Sequence, residues 1–121
     1  MEEQIITKNR ILVGNLIKQV LLGKIKPSFA CGKFPKERDL SIESAFYALV
    51  HLEADEDLRK NVNYKNEQDD YLLYIAQILE KGEALPKNII AQYSKYYEEA
   101  PIYPEITKEN IIKRLKKFIN L

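Results

Sequence analysis

The clearest helix signal in the chain is the stretch from residue 66 to residue 82, NEQDDYLLYIAQILEKG. Its apolar side chains recur every three to four positions, which is the spacing of one face of an α-helix. They are Tyr71, Leu72, Ile75, Ile78 and Leu79. Asn66 is a good N-cap and Gly82 is a typical C-terminal stop. Leu73 falls on the opposite side, and apolar residues on two sides are typical of a central helix or of a subunit contact.

Apolar stripes with the same spacing lie on both sides of this stretch, bounded by residues that start or stop helices. Helices are predicted at residues 2–22, from Asp39 or Ser41 through Leu52, from Pro86 to Ala100 and from Thr107 onward. After Leu52 we expect either a short separate helix or a continuation of the second helix, ending near Asn63. Residues 24–39 contain two prolines and a glycine, so we expect an irregular, packed loop there. No segment alternates like a β-strand. The sequence therefore predicts an all-α fold, a single-domain bundle of five to six helices over residues 1–121.

Chain length and charge indicate how many domains the chain forms and which kinds of partner it favours. The 121 residues suffice for one domain with a buried core. The net charge of +1 gives no general bias toward nucleic acid or anionic membranes. Residues 1–38 carry eight basic and three acidic side chains, residues 39–83 four basic and eleven acidic, and residues 84–121 seven basic and four acidic. An acidic middle between basic ends indicates internal complementarity or a polar face that a partner uses.

The sequence also predicts a cytoplasmic protein with no membrane association. The single cysteine, Cys31, cannot form an internal disulfide. The first residues, Met-Glu-Glu-Gln, are acidic where a secretory signal would be basic. No apolar run approaches the roughly 20 residues that a membrane-spanning helix needs.

Most familiar catalytic motifs cannot be assembled from this composition. The chain has one histidine (His51), one cysteine (Cys31) and four glycines that stand apart from each other. Glycine-rich phosphate loops, His/Cys zinc sites and serine-nucleophile motifs are therefore absent. A nucleophilic pair of Cys31 and His51 stays open, although an inert buried thiol and a surface histidine are the commoner arrangement. We predict no catalytic residue and no cofactor, and the sequence favours a protein that is not an enzyme.

Carboxylates in the acidic middle offer an alternative. Glu53 and Asp57 are four residues apart and would share a helix face if the second helix continued that far, and Asp70 lies near the start of the next helix. Carboxylates that converge from two helices can hold Mg²⁺ or Mn²⁺, so these three residues form the alternative metal site of a phosphohydrolase for a small phosphorylated substrate. The competing interpretation is that acidic residues near helix starts only complement the helix dipole.

The tyrosines predict a contact surface. The chain has eight tyrosines and no tryptophan, and tyrosine suits interfaces because it joins a large apolar ring to a hydroxyl that stays in water. The predicted interaction surface comprises Tyr93, Tyr96, Tyr97, Tyr103 and the outward Leu73. The alternative is that these rings close the rim of the core. The leading hypothesis is a regulatory or accessory protein that binds a protein partner, with a second copy of the chain (a homodimer) as one candidate.

A basic patch supports a further alternative. Lys113, Arg114, Lys116 and Lys117 occupy four of five successive positions in the last predicted helix. Together with the lysines of the first third of the chain, they would suit a nucleic-acid-binding accessory protein if both segments lay on one side. The competing interpretation is a solvated helix face whose apolar side docks on the core.

Overall fold

The computed structural model of the chain describes residues 2–93. Within that range the predicted all-α class is confirmed, because the residues form five α-helices, one 3₁₀ turn and no strand. The helices are α1 (Glu2–Leu21), α2 (Pro27–Gly32), α3 (Leu40–Ala54), α4 (Val62–Glu80) and α5 (Lys87–Gln92), and the 3₁₀ turn is Leu58–Lys60. The helix predicted from Thr107 lies outside the described residues.

Helix α3 is the centre of the fold. All ten residues from Ser41 to Val50 are buried, and α1, α2, α4 and α5 all contact this helix. A helix that is buried on every side belongs to the core interior. The sequence predicted a single apolar face for this helix, but from Ser41 to Val50 the side chains outside that face, among them Glu43 and Tyr47, are also buried.

Helices α1 and α4 pack closely in antiparallel directions. Thr7 in α1 lies beside Gly82, just after α4, whereas Gly14 lies beside Ala76 and Glu80. A Cβ atom on Gly14 would be 2.8 Å from the carbonyl oxygen of Ala76, so glycine allows the two backbones to meet. The close approach brings the inner faces of both helices onto α3.

The start of α3 is tied to the rest of the fold by one arginine. Asp39 is the N-cap, and its carboxylate accepts a hydrogen bond of 3.1 Å from the backbone N–H of Ser41. Arg10 in α1 donates to that carboxylate through Nε at 2.8 Å and to the carbonyl oxygen of Gly82 at 3.2 Å. The predicted cap at Asp39 is therefore confirmed, and Arg10 joins three elements at that point.

Three predictions about helix positions are wrong. First, α5 ends at Gln92 and not at Ala100. Helix α4 begins at Val62 rather than after Asn66, because Asn61 is the N-cap and accepts a hydrogen bond of 3.1 Å from the backbone N–H of Tyr64. The segment expected to be irregular contains α2, which begins at Pro27. Proline is tolerated at the first helical position, since its missing N–H has no partner there in any helix.

Candidate functional site

A cleft of about 400 Å³ opens where the end of α3, the first half of α4 and α5 meet. We call it the tyrosine cleft. Its polar and aromatic lining consists of His51, Asp55, Tyr64, Glu67, Gln68, Tyr71, Gln92 and Tyr93. Each helix therefore contributes side chains that can contact a bound molecule.

Hydrogen bonds fix one wall of the tyrosine cleft. The Tyr64 hydroxyl donates to Oδ2 of Asp55 at 2.6 Å, and the Gln68 amide donates to the same oxygen at 3.1 Å. Arg59 then donates to the Gln68 side-chain oxygen at 2.8 Å and to the Asp69 carboxylate at 2.7 Å. This chain of bonds joins the end of α3 to α4 and holds the Tyr64 ring in one orientation. The bond to Asp55 also raises the pKa of Tyr64.

Aromatic rings form a second wall, which consists of Tyr71 of α4 together with His51 and Tyr93. The Tyr71 hydroxyl donates to the Gln92 side-chain oxygen at 3.0 Å. The Tyr93 ring meets the His51 ring edge to face, with 5.7 Å between their centroids. Burial raises the pKa of Tyr71, and a hydrogen bond with Tyr93 partly opposes that shift. Both walls are therefore built from side chains that already have partners.

Two residues of the predicted interaction surface, Leu73 and Tyr93, lie within the described residues. Leu73 is 37 % exposed on the outer side of α4, as expected, and the neighbouring Tyr74 is 49 % exposed. Tyr93 is only 5 % exposed, so it forms an inner wall of the cleft and not an outer contact. The other predicted contact and basic-patch residues lie outside the described residues: Tyr96, Tyr97, Tyr103, Lys113, Arg114, Lys116 and Lys117.

The predicted carboxylate site for a metal is wrong. Residues 2–93 hold no group of three or more His, Cys, Asp or Glu side chains placed to share a metal ion. Helix α3 ends at Ala54, so Glu53 and Asp57 do not lie on one continuous helix face. Asp57 and Asp70 are both exposed, and Asp70 is on the outer side of α4.

Cys31 does not have the properties of a nucleophile. The side chain is buried in α2, and burial raises the pKa of the thiol far above its ordinary value, with the charge of Glu53 adding to the shift. The thiol is therefore protonated at neutral pH. His51 is half-buried against Tyr93 rather than on the outer face that the sequence predicted.

A second surface lies at the turn between α1 and α2. We call it the basic turn; it comprises Lys24, Ile25, Lys26, Phe29 and Lys33. The Phe29 ring is 55 % exposed, although the sequence predicted that it would pack down, and Lys33 Nζ lies 5.3 Å from its centroid. Two open clefts of about 560 and 500 Å³ share the segment from Lys24 to Lys26. The basic turn therefore combines cations with an exposed aromatic ring.

The sequence contained one signal for the tyrosine cleft that the predictions missed. Tyr64, Gln68 and Tyr71 are spaced four and three residues apart, so they share a face once α4 begins at Val62. A helix that starts after Asn66 leaves Tyr64 outside it, so this shared face is not predicted.

No helix within residues 2–93 is long and apolar enough to cross a membrane.

Comparisons with known proteins add no functional information. No protein-family model, curated protein or solved structure matches the chain.

Proposed function

We propose that this chain is an accessory domain that acts by binding another protein through the tyrosine cleft. The observation that carries the proposal is that Tyr64 and Tyr71 line one cleft and are each held by a hydrogen bond, to Asp55 and to Gln92. Tyrosine rings supply much of the binding energy at protein interfaces. Rings that are already ordered lose less conformational entropy when a partner binds.

One exposed aromatic side chain, Tyr74, extends this surface along α4. Tyr74 is three residues after Tyr71, so the two rings are neighbours on the helix surface. Tyr74, which is 49 % exposed, therefore adds apolar area beside the cleft, whereas Leu73 lies on the opposite side of α4. An aromatic cleft with an adjoining apolar rim suits a polypeptide partner, which would cover both. A second copy of this chain is one candidate for that partner.

Site-specific photocrosslinking tests the proposal. The photoreactive residue p-benzoylphenylalanine would replace Tyr64 or Tyr74 in the full chain, expressed in its native cells. Lys8, which is exposed on α1, provides the matched control position. We expect one discrete adduct from positions 64 and 74 and none from position 8, with mass spectrometry identifying the attached protein. Adduct levels at positions 64 and 74 no higher than at position 8 would contradict the proposal.

A second candidate function is nucleic-acid binding through the basic turn. Lysines that surround an exposed aromatic ring are the side chains that contact phosphates and stack on bases. Fluorescence anisotropy with a labelled single-stranded oligonucleotide would test it. If three lysines contact phosphates, the logarithm of the affinity falls with the logarithm of salt concentration with a slope of about −2. The double variant Lys24→Glu/Lys26→Glu should lose binding. Absence of binding at low salt would exclude this function for the basic turn.

A further inference from the structure

We infer that the tyrosine cleft recognises a cationic side chain of the bound protein, and that arginine fits it best. This inference rests on the proposed function, because it names the chemistry of the partner at the same site. It follows from the charge, the aromatic lining and the hydrogen bonds of the cleft.

The charge of the lining is negative. Asp55 and Glu67 line the cleft, and none of the described lining residues is lysine or arginine. The nearby cations already have partners: Arg59 Nη2 lies 2.7 Å from Asp69 and its Nη1 donates to the Gln68 side-chain oxygen, while Lys65 Nζ lies 2.9 Å from the Asp69 carboxylate. A ligand that enters the cleft therefore meets carboxylates without a competing cation from the lining.

The Asp55 carboxylate is held in place but retains a free oxygen. Both of its side-chain hydrogen bonds, from Tyr64 and Gln68, end on Oδ2. Within residues 2–93 no hydrogen bond to Oδ1 is formed, so this oxygen can accept one from an incoming donor. A charged donor suits a carboxylate best, since charge-assisted hydrogen bonds are about twice as strong as neutral ones.

The aromatic lining favours the same class of ligand. The faces of Tyr64 and Tyr71 carry negative electrostatic potential, which attracts cations that lie over the rings. Carboxylates beside aromatic rings are the combination that binds ammonium and guanidinium groups. A guanidinium is planar, so it can donate to Asp55 while it stacks on a tyrosine ring, which a lysine ammonium cannot do equally well.

Titration of the isotope-labelled full chain by NMR tests this inference. The probes are Nα-acetyl-arginine amide and its neutral isostere, Nα-acetyl-citrulline amide. We expect saturable shifts of the backbone amides of Asp55, Gln68 and Tyr71 with the arginine probe, at a Kd of roughly 1–10 mM. The citrulline probe should bind about fivefold more weakly, since it lacks the charge.

Matched variants assign the effect to the lining carboxylates. Glu67→Gln changes an exposed residue and should weaken arginine binding about threefold without changing citrulline binding. Asp55→Asn should weaken arginine binding more than Glu67→Gln does. Asp70→Asn, on the outer side of α4, is the control and should leave both affinities unchanged. Equal affinities for the two probes, no saturable shift in the cleft, or an equal loss in the Asp70 variant would overturn the inference.

The two proposals fail separately. An adduct at position 64 or 74 without a preference for arginine would support the protein contact. It would overturn the inference that the cleft binds a cationic side chain. Arginine binding in the cleft with no adduct at either position would support the cation site and contradict the protein contact.

Discussion

The backbone of Gly14 meets that of Ala76 so closely that a Cβ atom at position 14 would lie 2.8 Å from the Ala76 carbonyl oxygen. The same atom would lie 2.9 Å from the backbone nitrogen of Glu80. Because both contacts are to backbone atoms, no side-chain rotation can relieve them. The crossing of α1 and α4 therefore requires glycine at position 14.

We predict that Gly14→Ala destabilises the protein by about 1–3 kcal/mol, the usual cost of overpacking. Urea unfolding followed by circular dichroism would measure it. Gly32→Ala is the matched control, because a Cβ atom there meets nothing within 4 Å. We expect that control to be neutral or slightly stabilising, since alanine is the better helix former. Equal losses in the two variants would show that the close approach is not the cause.

A second prediction concerns Arg10. Its guanidinium bonds the carboxylate of Asp39 and the carbonyl oxygen of Gly82, and the Asp39 side chain is only 8 % exposed. We expect Arg10→Met to reduce the free energy of unfolding by about 2 kcal/mol, because it leaves a largely buried carboxylate without its cation.

Lys18 provides the comparison for Arg10. Its ion pair with Glu80 has an N–O distance of 2.6 Å but is more exposed. Lys18→Met should therefore cost less than about 1 kcal/mol, as is usual for surface ion pairs. Urea unfolding of both variants at one pH gives the two values. A loss for Lys18→Met as large as that for Arg10→Met would contradict the special role of Arg10.

Local signals predicted most of the helices but not all of their ends. The spacing of apolar residues, the N-cap at Asp39 and the glycines that end helices all depend on neighbours in sequence. Gly23 and Gly82 follow α1 and α4 with positive φ values. The sequence places the start of α4 after Asn66, a good N-cap, but both Asn63 and Asn66 belong to the helix. Both lie in α4 with exposed side chains, where asparagine is tolerated.

The burial of α3 and the position of Asp55 in the tyrosine cleft could not be predicted from local pattern. Glu43 has the sequence signature of an outward position, and its burial depends on elements distant in the chain. The cleft depends on the turn after α3, which brings Asp55 next to Tyr64 and Gln68, 9 and 13 residues away. The exposure of Leu73, by contrast, follows from helix period alone, and the sequence predicted it.

A third prediction concerns Glu43 and pH. Its side chain is fully buried, neither carboxylate oxygen receives a hydrogen bond within residues 2–93, and Arg38 Nε lies 3.4 Å from Oε2. Burial raises the pKa of Glu43, Arg38 opposes this and Asp39 adds to it, with a net increase. Because the folded pKa exceeds the unfolded one, the contribution of Glu43 to stability is fully present below the unfolded pKa. It is lost as the pH rises through the folded pKa.

We therefore expect Glu43→Gln to stabilise the protein at neutral pH, where it removes a buried charge. The gain should vanish in acid, where Glu43 is protonated in both the folded and the unfolded state. Urea unfolding of the variant and the parent protein across that pH range would measure the difference. Arg38→Gln should act in the opposite direction at neutral pH, because it removes the cation nearest the carboxylate. A pH-independent difference for Glu43→Gln would show that its charge is not the cause.

The last prediction separates the ring of Tyr64 from its hydroxyl. If the ring makes the contact, Tyr64→Ala should weaken binding of the crosslinked partner about tenfold or more, as expected for an interface tyrosine. Tyr64→Phe keeps the ring and loses only the bond to Asp55, so it should stay within about threefold of the parent affinity. Isothermal titration calorimetry with the purified partner would measure both. Leu58→Ala, at an exposed apolar residue that does not line the cleft, should have no effect. If Tyr64→Phe lost as much affinity as Tyr64→Ala, binding would depend on the hydroxyl and on the Asp55 carboxylate that it holds. The hydrogen bond to Asp55 is the one interaction that both variants remove.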